Sequence, residues 1–310
     1  MLTQQICLVL GAGASKPYRF PTGAELKALA CGAQSEEWWP LAKAVTGFGP
    51  DEHVKFVERV IDSGVSSIDQ FAGAISSYKQ YAKALIAYHI GRVEHSTTVI
   101  QAQEDQDWLN YLKQQFVNPA QKFSELKSIP PTVVTFNYDR SFEEGMLRRL
   151  TASFEDVTRQ SVAEYLRTWQ IVHVHGSIGP HPELAADGKG RAFAHTLDPD
   201  ALRAAMEQII LVRDANPDSE EFTRARESIR GAATVFFLGF AFDPLNLDRI
   251  LPKGPPNDLP PFYATRRADS ATAIRKATAP GGRMPNKVPL GGNIPDCRWL
   301  LDEYAHIYTD

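Results

Sequence analysis

The chain has 310 residues, of which 43% are hydrophobic and 10% aromatic, and its formal net charge is -4. This apolar content excludes an intrinsically disordered chain. The 33 basic residues are interspersed with 37 acidic ones, so we expect no direct binding of long nucleic acid, which needs clustered lysine and arginine.

No apolar run approaches the roughly 18 residues of a membrane span. The N-terminal residues also lack the features of a secretory leader. The three cysteines, Cys7, Cys31 and Cys297, stand far apart and form no CxxC pair, a pattern typical of reduced thiols. We therefore predict a cytoplasmic protein without membrane association, with Cys7 in the core.

Short apolar runs alternate with long helical stretches, which predicts a Rossmann-like α/β fold, a mostly parallel sheet with helices on both faces. The predicted strands are residues 6–10, 132–136, 171–175, 234–238 and 262–264. Ligands of such sheets collect at the carboxyl ends of the strands. The segments that follow the five strands, GAGAS, NYD, HGS, GFAFD and TRR, are therefore the candidates for chemistry.

Two long segments between these strands have helical periodicity. Apolar residues recur at helical spacing from Val54 to Ile61, then from Ile68 to Ile86, and again from Trp108 to Phe116. We predict one domain spanning 1–310, with a large helical insert at about 35–128 and a smaller one at about 180–230, helical over 202–212 and 220–229. The proline- and glycine-rich stretches 252–261 and 280–295 are predicted loops.

The first candidate segment is a glycine turn made of Gly11, Ala12, Gly13, Ala14 and Ser15. Glycines directly after a strand let the backbone bend and let a pyrophosphate approach the amides. The next helix is predicted to begin near Thr22, where Thr22 and Glu25 form a capping box, and its amides favour an anion. A tight turn without a ligand is the alternative.

The dinucleotide fingerprint GxGxxG is incomplete at this turn. Lys16 occupies the third glycine position, and Pro17 and Pro21 are predicted to prevent a helix from starting at once. The pattern therefore disfavours an ordinary dehydrogenase while keeping a nucleotide site.

Asn137, Tyr138 and Asp139 follow the second strand. The Asn137 amide offers both a donor and an acceptor for a ribose hydroxyl or a water. Asp139 and Ser141 have an alternative role as caps of a helix over 142–150. We add Phe136, which precedes Asn137, to the predicted nucleotide contacts.

His173 and His175 are two residues apart on a predicted strand and so share one face. A two-histidine metal site is conceivable, but no third and fourth ligand is evident. His175 lies at the strand end before Gly176, where we predict a general base, because an unperturbed histidine titrates near neutrality. A packed core histidine is the alternative, and Gly176 is a predicted nucleotide contact.

The fourth strand is followed by Gly239, Phe240 and Asp243. The glycine permits close backbone approach, the aromatic ring suits a base or ribose, and the carboxylate suits a ribose hydroxyl. Phe240 and Phe242 are equally explained as core residues, and Asp243 with Pro244 as a helix start.

Four motifs in order, GAGAS…FPTG at 11–23, TFNYD at 135–139, VHVHGS at 172–177 and FLGFAFD at 237–243, resemble sirtuin-like NAD-consuming domains. The resemblance implies phosphate binding by residues 11–15, ribose and water positioning by Asn137 and Asp139, and base catalysis by His175. Two features depart from protein-deacylating sirtuins. The four-cysteine zinc module is absent, so no zinc is expected, and the insert at 35–128 has no counterpart.

The chain is therefore more similar to the zinc-less bacterial sirtuin-like effectors that hydrolyse NAD in antiphage defence. These often form oligomers or pair with an ATPase or a nucleic-acid-guided sensor, so the resemblance implies a homo-oligomer or such a partner. We expect an NAD⁺ glycohydrolase that releases nicotinamide and ADP-ribose. An NAD-dependent protein deacylase and a non-catalytic adenine-nucleotide sensor are the alternatives, and the insert is the candidate for contacts with other proteins.

Overall fold

A five-stranded sheet organises the protein, which is represented by a computed structural model that describes residues 3–95, 100–118, 120–185, 188, 190–193, 198–253, 258–265 and 296–304. The strands are β1 Ile6–Leu10, β2 Thr132–Thr135, β3 Ile171–His173, β4 Thr234–Leu238 and β5 Phe262–Ala264. All neighbours pair in parallel, in the order β3-β2-β1-β4-β5. The predicted Rossmann-like α/β fold is confirmed, and only β2 and β3 end earlier than predicted.

The strands are apolar because both faces of the sheet are covered. Every residue of β1 and β4 is buried, as expected for a parallel sheet between helical layers. Since side chains alternate along a strand, Ile6 and Leu8 enter one core while Cys7 and Val9 enter the other. The prediction that Cys7 is a core residue is confirmed.

One face, which we call the broad face, carries most of the helices. Its core joins the sheet to the helices of the predicted insert and to helices before and after it in a single apolar cluster. These helices are α1 Ala12–Ser15, α2 Gly23–Cys31, α3 Trp38–Thr46, α4 Pro50–Asp62, α5 Ile68–Ala72, α6 Lys79–His95, α7 Trp108–Val117, α8 Ser141–Thr151, α9 Arg159–Leu166, α10 Pro199–Gln208 and α13 Cys297–Tyr304.

The opposite face, which we call the thin face, is covered by α11 Glu220–Gly231 and α12 Pro244–Ile250. Phe222 and Ile229 of α11 and Ile250 of α12 pack with Val9 and Phe237 of the sheet. The helices are thus on both faces, as predicted, but very unequally divided.

The segment 35–128 contains α3 to α7, with one difference from the predicted periodicity. The pattern from Ile68 to Ile86 is not one helix: α5 ends at Ala72, and Gly73 and a 3-10 turn at Ser76–Tyr78 precede α6. On α4, Phe56 and Val60 are buried, whereas Val54 and Ile61 are exposed. The buried stripe is therefore narrower than the apolar pattern suggested.

The helix predicted over 202–212 ends at Gln208. Residues after it leave the helix because their amides bond elsewhere: Ile210 N donates to His175 O at 2.9 Å, and Val212 N donates to Asp69 Oδ1 at 2.9 Å. This segment therefore ties α10 to the end of the sheet.

No helix in the described ranges is long and apolar enough to cross a membrane. The predicted loop at 280–295 and the two arginines that follow Thr265 lie outside the described residues.

Candidate functional site

The candidate site lies where the strand order reverses. Counting outwards from β1, the chain builds one side of the sheet with β2 and β3 and the other with β4 and β5. Ligands of open α/β sheets bind at the carboxyl ends of the strands beside such a switch point. The glycine turn after β1, the segment 137–139 after β2 and the segment 239–243 after β4 all belong to this edge.

The glycines of the turn hold the ends of β1 and β4 together. Gly11 N donates to Leu238 O at 2.9 Å, and Gly13 N donates to Gly239 O at 3.0 Å. A Cβ on Gly11 would lie 2.5 Å from Gly239 O, and one on Gly13 would lie 2.8 Å from Gly239 Cα. Because these contacts are with backbone, other residues cannot be accommodated by moving a side chain.

Gly239 completes this joint from β4. Its φ is +59°, and a Cβ there would lie 2.0 Å from Ala14 N. The amides of Gly11, Gly13 and Ala14 already donate to backbone carbonyls. The glycines are thus required by the joint, and an anion at this turn would depend on donors other than these three amides.

The prediction that no helix starts at once is wrong. Helix α1 begins at Ala12, directly after Gly11, and leads into a 3-10 helix at Lys16–Tyr18. Pro17 fits because it lies in the first turn of that 3-10 helix, where its missing N–H costs nothing. The predicted capping box is confirmed: Glu25 N donates to Thr22 Oγ1, and Thr22 N donates to Glu25 Oε2 at 2.9 Å.

Ser15 is the centre of a buried hydrogen-bond network. Asn137 Nδ2 donates to Ser15 Oγ at 2.9 Å and to Gly11 O at 3.1 Å. Ser15 Oγ donates to Asp139 Oδ1 at 3.0 Å and lies 2.9 Å from Ser141 Oγ. Four predicted site residues, Gly11 and Ser15 after β1 and Asn137 and Asp139 after β2, are thus brought into direct contact.

Asp139 also has the alternative role that its position suggested. Its Oδ1 accepts the Ser141 N–H at 3.0 Å, at the start of α8. Burial raises the pKa of Asp139, against the opposing effect of the hydrogen bonds from Ser141 and Ser15. Asp139 thus positions both Ser15 and α8.

Asn137 keeps one polar atom unused. The side chain is 6% exposed, and its Oδ1 is buried without a hydrogen-bond partner among the described residues. Since a buried acceptor without a partner costs about 1–3 kcal/mol, this atom is suited to accept a hydrogen bond from a ligand or water.

His173 and His175 do not share a face, contrary to the expectation from their spacing, because β3 ends at His173. His173 faces α8: its Nε2 lies 2.6 Å from Glu143 Oε1 and its Nδ1 lies 3.1 Å from Asn137 O. Although burial opposes the charged form, the Glu143 carboxylate raises the pKa of His173. Both ring nitrogens of His173 are thus occupied, and it is not available to a two-histidine metal site.

His175 turns to the thin face, where it is 2% exposed. Its ring centroid lies 5.5 Å from that of Phe136 and 5.8 Å from that of Phe222. Nε2 lies 3.4 Å from Asn246 Oδ1, and Nδ1 has no partner within the described residues. Burial lowers the pKa of His175 to about 4, more than the Asn246 hydrogen bond raises it, so the imidazole is neutral at pH 7.

The remaining predicted contacts have local structural roles. Gly176 has a φ of +67°, and a Cβ there would lie 1.9 Å from Gln208 O, at the end of α10. Asp243 Oδ1 accepts the N–H groups of Leu245 and Asn246 as the N-cap of α12. Phe240 is 5% exposed, and its ring centroid lies 5.0 Å from that of Phe136. Phe240 therefore lies in the core and Asp243 caps a helix, which are the alternative roles predicted for these two residues.

Sequence reasoning missed two residues that hold the candidate site. Asn246, the partner of His175, lies in the first turn of the helix that Asp243 caps, so the capping pattern was the signal that could have found it. Trp108 Nε1 donates to Ala14 O at 2.8 Å and ties α7 to the glycine turn. No sequence pattern predicts that Trp108 contacts Ala14.

Metal ligands are not grouped in the described part of the chain, where no cluster of three or more histidine, cysteine, aspartate or glutamate side chains is suited to hold an ion. Cys7 and Cys297 are buried free thiols, and Cys31 is a half-buried one.

A scan against protein-family models finds no match, and a search of curated proteins finds no significant relative.

Proposed function

We propose that this protein is an NAD⁺ glycohydrolase, which cleaves the bond between nicotinamide and ribose and serves as an NAD-depleting effector in bacterial antiphage defence. The Rossmann strand order and the position of the turn 11–15 beside the switch point support a nucleotide site. The role in defence is inferred from the resemblance of the motifs to sirtuin-like domains. Oligomerisation and a regulatory partner protein are inferred from the same resemblance.

One observation carries the catalytic part of the proposal. Of the three residues predicted to act in catalysis, Asn137, His175 and Asp139, the first two each keep a buried polar atom that has no partner in the described residues, Oδ1 of Asn137 and Nδ1 of His175. Buried polar atoms are normally hydrogen-bonded, and exceptions need an explanation. Contact with a substrate or its attacking water is the explanation that we propose.

The chemistry needs an acceptor for one proton. Water attacks C1′ of the ribose, the C–N bond breaks, and its electron pair leaves with neutral nicotinamide. Because the pyridinium is already cationic, its departure needs no general acid, and the ribose passes through an oxocarbenium-like state. In this proposal Asn137 Oδ1 orients the water or a ribose hydroxyl, and neutral His175 accepts the released proton through Nδ1.

The test uses the purified full chain without any other protein and at several concentrations. Chromatography measures the nicotinamide that is released from NAD. We expect His175→Ala to lower the rate about 100-fold or more, the usual range for a general base. We expect Asn137→Ala to lower it by a similar factor, because the water or ribose hydroxyl is then no longer oriented. His53→Gln is a matched control, because His53 is another buried histidine with a lowered pKa, on α4. Thermal melts establish that the variants are folded.

Undiminished NAD loss in both catalytic variants would contradict the mechanism. Turnover that requires an acylated lysine peptide would favour the deacylase. Binding of NAD without product at every protein concentration would favour the sensor.

A further inference from the structure

A second feature lies outside the catalytic assignment: a cleft of about 610 Å³ between α2 and α6. Its walls come from the 3-10 turn after Ser15, from α2 and the loop after it, and from the last turns of α6. Neither Asn137 nor His175 lines it. Clefts of this size are in the range that takes small organic ligands.

The cleft is electropositive. Lys16, Arg19 and Arg92 line it, and among the described residues its walls include one carboxylate, that of Glu25, which pairs with Lys16 at 2.7 Å. Arginine is well suited to phosphate, because its planar fork offers paired donors.

His89 supplies a further polar group to the wall of the cleft. This α6 residue lines the cleft and is 8% exposed, and its Nε2 is buried with no hydrogen-bond partner in the described part of the protein. Burial and, to a smaller extent, the charge of Arg92 lower the pKa of His89 to about 4. The neutral ring can donate from Nε2 to an oxygen atom at no ionisation cost.

The C-terminal end of α2 also borders the cleft, and its carbonyls by themselves would repel an anion. Gln34 removes this obstacle, because its Nε2 donates to Leu29 O at 2.8 Å and to Gly32 O at 2.9 Å. Phe20 and Leu29 supply apolar wall. The cleft therefore combines cationic donors with a surface for an uncharged ring.

We propose that this cleft binds a phosphate-bearing ligand of nucleotide size, with its phosphates against Arg92 and Arg19 and an oxygen atom against His89 Nε2. This site is separate from the catalytic assignment and does not depend on the proposed function. Lys16 directly follows Ser15, the residue that holds Asn137, so an occupant of the cleft lies next to the network of the candidate site.

The experiment is calorimetric titration of the full chain with ADP as probe, and with adenosine and inorganic phosphate as separate arms. We expect ADP to bind, adenosine to bind at least tenfold more weakly, and Arg92→Gln and His89→Phe each to weaken ADP at least tenfold. Arg59→Gln, an exposed arginine on α4, is the matched control and should leave the affinity unchanged. Phosphate that binds as tightly as ADP would show an anion subsite without a place for the nucleoside and would overturn the ligand class.

The ADP affinity of the Asn137→Ala variant shows whether ADP binds in the cleft or at the candidate site. Retained ADP affinity in Asn137→Ala together with a loss in Arg92→Gln supports the cleft. The reverse result would place ADP at the candidate site and overturn this inference while leaving the glycohydrolase proposal intact. Absence of ADP binding, or equal affinity for adenosine, would also overturn it. Melting temperatures of the variants show whether a loss of binding reflects a loss of fold.

Discussion

The two faces of the sheet are built differently, and the residues assigned to catalysis are divided between them. On the broad face, Ser15, Asn137 and Asp139 are joined by direct hydrogen bonds and anchored to α8. On the thin face, His175 is held by aromatic contacts and one long hydrogen bond to Asn246. Asn137 is therefore positioned by a polar network, whereas His175 depends on packing.

The broad face also buries an ion pair, whereas the described residues of the thin face form no buried ion pair. Arg140 NH2 lies 2.5 Å from Glu94 Oε2, both side chains are fully buried, and Arg191 contacts the same carboxylate. Arg140 immediately follows Asp139 and also donates to Pro180 O at 3.1 Å. This cluster therefore fixes the segment that leads into α8.

Breaking that ion pair should destabilise the protein more than any other change proposed for the two faces. Arg140→Met should lower the free energy of unfolding by about 4 kcal/mol, because it leaves the buried Glu94 charge and several carbonyls under-satisfied. Urea denaturation measures this. Arg203→Ala, which breaks an exposed pair with Asp200, should cost less than about 1 kcal/mol. Equal effects of the two substitutions would contradict the structural role of the buried pair.

A smaller effect is expected from pH on the thin face. The folded-state pKa of His175 is about 4, below the ordinary 6.5, so the unfolded chain binds the proton first as the pH falls. This linkage should cost up to about 3 kcal/mol of stability between pH 6.5 and 4. The measurement is unfolding free energy against pH for the protein and His175→Gln. His89 contributes similarly to both proteins, so parallel curves would refute a strongly lowered pKa at His175.

The smallest effect concerns the cap of α12. Asp243→Ala removes the side chain that caps the helix carrying Asn246 and should cost about 1 kcal/mol. Thr22→Ala removes a comparable cap from α2 on the broad face and should cost a similar amount. NMR titration should show an altered pKa for His175 in Asp243→Ala alone. The same change in both variants would indicate that the faces are not independent.

Local patterns predicted much of the fold. The strand positions follow from apolar runs bounded by turns, and the capping box at Thr22 was readable because both partners lie within one turn. The periodicity from Ile68 to Ile86 was misleading, because Gly73 and the 3-10 turn keep the apolar spacing while breaking the helix. The helix over 202–212 was overextended, because the bonds from Ile210 and Val212 join residues distant in sequence.

The candidate site was predictable only in part, because some of its contacts also join residues that are distant in sequence. Strand ends converge in any parallel sheet, so Asn137, Asp139 and Ser15 could be grouped from sequence. The environment of His175 could not, because the end of β3 at His173 turns the next side chains to the thin face.

Periodicity and local turn chemistry are sufficient to predict the strand and helix types, the parallel sheet and the segments that meet at its edge. The need for glycine at Gly11, Gly13 and Gly239 is visible only in the folded protein, where these residues form a backbone joint between β1 and β4. The fold also accounts for the unequal helical layers, for the cleft at His89, and for the buried atoms of Asn137 and His175 that have no partner among the described residues. These features depend on contacts and desolvation between residues far apart in the chain, which no local pattern encodes.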